Sequence, residues 1–126
     1  MIARFSSKGP IVKIHLKRVY ESPADKEGLR VLVDRLWPRG LKKADAAVDL
    51  WLRAIAPSPE LRKWFGHYPD KWVEFRRRYR SELTDKADEI ATLRERGGRG
   101  VVTLLYGARD EVHNHALVLK DFMDGG

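Results

Sequence analysis

Two short stretches hold most of the residues able to do chemistry. "DRLWPRG" (34–40) sets Asp34, Arg35, Trp37 and Arg39 around one proline, and "YGARD" (106–110) supplies Tyr106, Arg109 and Asp110, with Asn114 and His115 close behind. Arginine's planar fork suits phosphate or carboxylate. Pro38 confines Trp37 to extended geometry and stiffens the loop. A helix starting just after Asp110 would add free N–H groups and a positive dipole end. Combined, these residues describe a preformed anion pocket with an aromatic wall. Arg35, Arg39 and Arg109 would hold the anion, Trp37 and Tyr106 would wall an organic part, and Asp110 with His115 would be the one acid–base pair. No activated serine or cysteine nucleophile is suggested, so the reaction class and any turnover stay open. A plainer assignment stands beside this one. Asp34 and Arg35 pair with charges at a sheet end, Trp37 and Tyr106 are packed rings, Asp110 caps a helix and His115 is an ordinary helix histidine.

A third stretch, "KWFGHYPDKW" (63–72), clusters aromatics. Trp64, Phe65 and Trp72 can join two helices, or His67 and Tyr68 can form a lid over the pocket, which makes His67 a ligand contact. Four histidines, at 15, 67, 113 and 115, raise the question of a metal. His113 and His115 are two apart and would diverge on a helix, so no metal site is expected. GxxxxGK[ST], GxGxxG and GxSxG are all absent, and no cofactor is expected.

These residues need elements to position them. "IVKIHLKRVY" (11–20) alternates like a half-wet strand, and "LRVLVDRLW" (29–37) and "GVVTLLY" (100–106) read as buried strands. The first two are joined too closely for a parallel crossover, so direct pairing between them would be antiparallel. Residues 44–56 fit both a helical stripe and a strand alternation, and the helix or irregular turn is the favoured reading. Ser58, Pro59 and Glu60 start a short helix. Trp72, Phe75, Tyr79, Leu83, Ala87 and Ile90 mark a long amphipathic helix, which Thr84-Asp85 can split in two. A last helix over 110–123 would turn Val112, Ala116, Leu119 and Met123 inward. The order predicts a single α/β domain with a small mixed, largely parallel sheet flanked by helices. Ligands of such sheets bind beyond the carboxyl ends of parallel strands, where both polar loops would lie.

At 126 residues the chain reads as a flexible terminus, 1–10, and one domain, 11–126. Zero cysteines exclude a disulfide framework and fit a reducing, cytoplasmic setting. No secretory h-region or membrane-length apolar run is present, so no membrane partner is expected. The +7 formal charge suits an anionic partner of phosphate or carboxylate type. It also admits a basic nucleic-acid- or protein-binding module without catalysis, using Arg76, Arg77, Arg78 and Arg80. Nucleic acid is the less favoured partner, because Glu74, Glu82, Asp85 and Asp88 lie among those arginines and dilute the field.

The stretches "RVLVDRLWPRGLKK", "APSPELRKWFGH", "W..F...Y..EL" and "TLLYGARDEVHNHALVL" resemble the YeaO-like family, bacterial domain family 488 of unknown function. The resemblance spans roughly residues 11–123. It implies a small cytoplasmic α/β protein and no established activity. It also implies family polar positions at Asp34, Arg35, Arg39, His67, Tyr106, Asp110, Asn114 and His115. Arg109 departs from the family pattern, where lysine is common. The charge stays and the donor geometry changes.

Overall fold

A computed structural model describes residues 13–125, so the expected flexible terminus, 1–10, lies outside the described residues. Four strands form one sheet: β1 (Lys13–Arg18), β2 (Leu29–Leu32), β3 (Leu50–Trp51) and β4 (Val101–Tyr106). Their order is β1-β4-β2-β3, and every pairing is parallel. The fold is the expected small α/β domain, with a sheet that is parallel throughout rather than mixed.

The expected β1–β2 pairing does not occur, because β4 inserts between them. Leu104 lies opposite Leu16 on one side and Val31 on the other. The continuous apolar run of β4 is what suits it to the centre, where both faces are covered. The connection over residues 19–28 must then return across the sheet without a helix. Thr103 Oγ1 pins it by donating to the Glu27 carbonyl at 2.7 Å. Glu27 in turn accepts from Lys17, Arg30 and the Ala24 N–H. Burial pushes its carboxyl up, but these hydrogen bonds outweigh that effect and hold it below the ordinary range.

Successive β4 side chains face opposite layers. Val102, Leu104 and Tyr106 join a core with α2 (Pro59–Phe65), α3 (Trp72–Thr84), α4 (Ala87–Gly97) and α5 (His115–Met123). Leu105 faces a smaller cluster with Val19, Leu32 and Ala46, against which Trp37 and Trp51 pack. The helices therefore cover one face, while loops and α1 (Lys43–Ala46) cover the other.

Both patterns seen in 44–56 are used, in pieces: α1, then β3, then a 3-10 turn at Arg53–Ile55. The long amphipathic segment does split, ending α3 at Thr84 and resuming as α4 at Ala87. Lys86 at that break donates to the Ala56 carbonyl at 2.9 Å and ties it to the 3-10 turn. Ser58 caps α2 as expected, accepting from Leu61 N at 3.1 Å, and its hydroxyl and N–H both reach the Glu82 carboxylate on α3. Ser58→Ala should lower unfolding free energy by about 1 kcal/mol in urea titration. An unchanged midpoint would mean that the cap contributes nothing.

The final helix begins later than the 110–123 reading. Asp110 folds its own loop by accepting from Val112 N at 2.9 Å and His113 N at 3.0 Å. Val112 consequently points outward at 64% exposure, whereas Ala116, Leu119 and Met123 are buried as expected.

Candidate functional site

The parallel sheet places the ends of β2 and β4 at one edge, and a cleft of about 320 Å³ opens there. Four segments supply most of its lining, and Tyr20, Ala56, Pro57 and Phe75 complete it. The loop after β2 supplies Asp34, Arg35, Trp37 and Arg39, and the loop after β4 supplies Gly107 and Ala108. The start of α5 supplies Asn114 and His115, and α2 with the turn after it supplies Arg62, Phe65 and His67.

Asp34 ties the two strand loops together. Its Oδ2 accepts from Gly107 N at 2.9 Å, and its carbonyl accepts from Trp51 Nε1 at 2.8 Å. Arg18 Nε holds the second loop by donating to the Ala108 carbonyl at 2.9 Å. His115 Nε2 stands 3.0 Å from the Val33 carbonyl and 3.2 Å from Asp34 Oδ1. A ring nitrogen carries one proton, and the carbonyl takes it, which leaves Asp34 Oδ1 buried without a hydrogen bond. Arg35 reaches the Pro57 carbonyl through Nη2 at 3.2 Å, yet its Nε is buried with no partner. The side chains of Arg39 and Arg62 are exposed and make no hydrogen bond or ion pair among the described residues. The Arg39 carbonyl accepts from Tyr20 Oη at 2.9 Å, which fixes the loop and leaves the guanidinium free to reach.

The cleft thus brings together Arg35, Trp37, Arg39, His67, Asn114 and His115 from the sequence reading. Trp37 is also core, as the plainer assignment had it: its Nε1 donates to the Leu41 carbonyl at 2.6 Å and its ring meets Trp51 edge-on. Asn114 is the cap of α5, its Oδ1 accepting from Leu117 N at 3.1 Å.

Three expected site residues lie elsewhere. Tyr106 is 3% exposed and belongs to the core, because its place in β4 turns the ring toward the helices. Arg109 is exposed and does not line the cleft. Asp110 does not pair with His115. It binds His113 Nδ1 at 2.8 Å, because the turn it caps brings that ring back onto it. The Val112 N–H first, and then the His113 side chain, hold the Asp110 carboxyl below the ordinary range. The carboxylate facing His115 is Asp34 instead.

Arg62 was absent from the sequence reading. Leu61 and Phe65, four apart, fix the buried face of α2, so an exposed Arg62 was legible. Its position over the strand ends depends on tertiary packing and was not. His67 lines the cleft, but Tyr68 is 61% exposed and does not, so no His67–Tyr68 lid is formed. Trp64, Phe65 and Trp72 join α2 and α3 as expected, with Phe65 stacked on Phe75 at 4.2 Å. No group of three or more histidine or acidic side chains suited to a metal occurs among the described residues. Nor is any helix among them long and apolar enough to cross a membrane.

A family model described as "Inactive DUF488-N3 subclade" matches residues 13–125. Uncharacterized protein YeaO of Escherichia coli K12 is 44% identical over 112 residues, covering 89% of this chain and 97% of its own. Uncharacterized proteins of Mycobacterium tuberculosis and Mycobacterium bovis are each 43% identical over 113 residues, covering 90% of this chain and 95% of theirs. No solved structure gives a significant match. With a family model over all the described residues and relatives this similar along nearly their whole length, the chain belongs to the YeaO-like DUF488 family, in the subclade described as inactive.

Proposed function

We propose that the cleft binds a small molecule bearing a phosphate or carboxylate, in a cytoplasmic protein that does not turn it over. One observation carries this reading: Arg35, Arg39 and Arg62 line the cleft against a single carboxylate, Asp34. Two of those arginines have no partner among the described residues, and the third keeps a buried donor unused. A buried unsatisfied donor costs roughly 1–3 kcal/mol, which a ligand that shifts the side chain can recover.

Binding without turnover fits the site better than catalysis. The expected Asp110–His115 pair is not formed, and the His115 Nε2 proton is held by a backbone carbonyl. The family description, inactive, agrees. The nucleic-acid alternative is weaker for a local reason. Arg77 and Arg78 both bind Glu74, and their hydrogen bonds hold its carboxyl at about 2. Arg80 lies over the Phe122 ring. Three of the four arginines on that helix are thus occupied.

Thermal melts in phosphate and in chloride at matched ionic strength test the reading. Phosphate at a hundred times its Kd should raise the melting temperature of the wild type by about 10 degrees, since it then adds about 2.7 kcal/mol. Arg39→Ala and Arg62→Ala should each remove most of that shift. General salting effects act on all three proteins alike. Equal shifts in wild type and both variants would sink the proposal.

A further inference from the structure

The cleft continues past Arg62. A second recess opens beside it, lined by Arg35, Leu36, Pro59, Arg62, Lys63 and His67. Arg35, Leu36, Arg62 and His67 line both spaces, so the two share a wall rather than lying apart. The second recess adds Lys63 and contains no carboxylate among its lining residues. Its charge is therefore wholly cationic.

A separate observation falls on the shared wall. His67 sits at φ +61°, in the left-handed region, directly after Gly66 at +54°. Glycine enters that region freely, whereas a side chain there costs on the order of 1 kcal/mol. The His67 ring makes no hydrogen bond among the described residues and only a tilted contact with Phe65 at 5.8 Å. The fold gains little from the imidazole, yet bears the strain of presenting it between the two recesses. Strained residues of this kind concentrate where ligands are held.

We infer that the two recesses form one elongated site for a molecule carrying two anionic groups, a diphosphate or an organic compound with two phosphate or carboxylate ends. One group sits by Arg39 in the main cleft. The other sits by Lys63 and His67, with Arg35 and Arg62 between them. This inference rests on the anion-binding reading and specifies its ligand class.

The test compares orthophosphate with pyrophosphate in thermal melts at matched ionic strength. The proteins are wild type, Lys63→Ala, His67→Gly, Arg39→Ala and Arg99→Ala. Arg99 is exposed just before β4, at the opposite edge of the sheet, so Arg99→Ala controls for loss of one positive charge. A second charge-assisted contact should make wild-type binding of pyrophosphate about tenfold tighter than that of orthophosphate. Lys63→Ala, which touches only the second recess, should lose most of that preference and keep the orthophosphate shift, and His67→Gly, on the shared wall, should lose the preference too. Arg99→Ala should keep both, and Arg39→Ala should weaken both. Equal binding of the two ions by wild type overturns the inference. So does a preference kept in Lys63→Ala and His67→Gly, or one lost equally in Arg99→Ala. An orthophosphate shift that ignores Arg39 overturns the parent reading instead, so the two failures are distinct.

Discussion

Gly28→Ala should lower the stability of the folded protein by at least about 4 kcal/mol, the range reserved for severe core lesions. A Cβ at this position would lie 2.0 Å from the Val101 carbonyl oxygen and 2.7 Å from its carbon. Both atoms are backbone at the start of the central strand, so neither can swing aside. The residue is also at φ +65°, which an alanine resists by a further 1 kcal/mol or so. Relief would require the return loop to lift from β4. That would strain the Thr103–Glu27 hydrogen bond on one side and the Leu29–Val102 register on the other. Gly98→Ala is the control, because Gly98 has φ +56° but nothing within 4 Å of the added carbon. With ψ −127° this glycine lies outside the left-handed region, so the variant should cost only the conformational penalty, on the order of 1–3 kcal/mol. Urea titrations of the two variants separate the clash from the dihedral. A Gly28→Ala protein within about 1 kcal/mol of Gly98→Ala would show that β4 can shift without loss. The effect should reach the cleft as well, because Gly28 opens into β2, and the loop after β2 carries Asp34 and Arg35.

That glycine marks where sequence reasoning stopped. The apolar runs in 29–37 and 100–106 identified β2 and β4, since a strand covered on both faces has few polar positions, although β2 ends at Leu32, before the polar loop, rather than at 37. Nothing local in "ESPADKEG" says that a strand from the far end of the chain will pass beneath it. Adjacency in a sheet is a nonlocal choice, and the short connection favoured the wrong neighbour for β1. The helices were easier, because the stripe from Trp72 to Ile90 and the Ser58 cap are local signals. The site divided along the same line. That the loops after β2 and β4 meet at one edge followed from strand direction alone. Which side chains turn inward did not. Asp110 spends its carboxylate on the turn it caps, which draws His113 to it and leaves Arg109 outside. Tyr106 obeys the alternation of its strand and faces the core. Arg62 arrives from α2 only because Phe65 stacks on Phe75 and docks that helix over the strand ends.

Tyr79 gives the second large effect, one that reverses with pH. The side chain is 0% exposed, and its hydroxyl donates to the Ile55 carbonyl at 2.7 Å. Burial first, and then the charges of Glu82 and Asp34, raise its ionisation well above the ordinary 10.0, with Arg35 opposing. A raised folded-state value means stability that is complete below about pH 10 and is lost as the unfolded chain ionises above it. The loss should approach 1.4 kcal/mol per pH unit until the buried phenol itself titrates. Tyr79→Phe cannot lose a proton. At neutral pH it should be the weaker protein by about 1–2 kcal/mol, because the Ile55 carbonyl is left without its donor. The two stability curves should therefore cross near pH ~11, with the variant the more stable by about 1 kcal/mol at pH ~12. Burial also raises Tyr106 and lowers Lys86, but both groups are present in both proteins and cancel from the difference. Urea midpoints from about pH 7 to about pH 12 measure the gap directly. The outcome bears on the cleft, since the Tyr79 ring lies 6.1 Å from His115 and packs between that residue and Phe75. A gap that stays constant with pH would mean that the phenol ionises in the folded protein as readily as in the unfolded chain. Water would then reach the layer beneath His115, and the base of the cleft would be open rather than sealed by an aromatic floor.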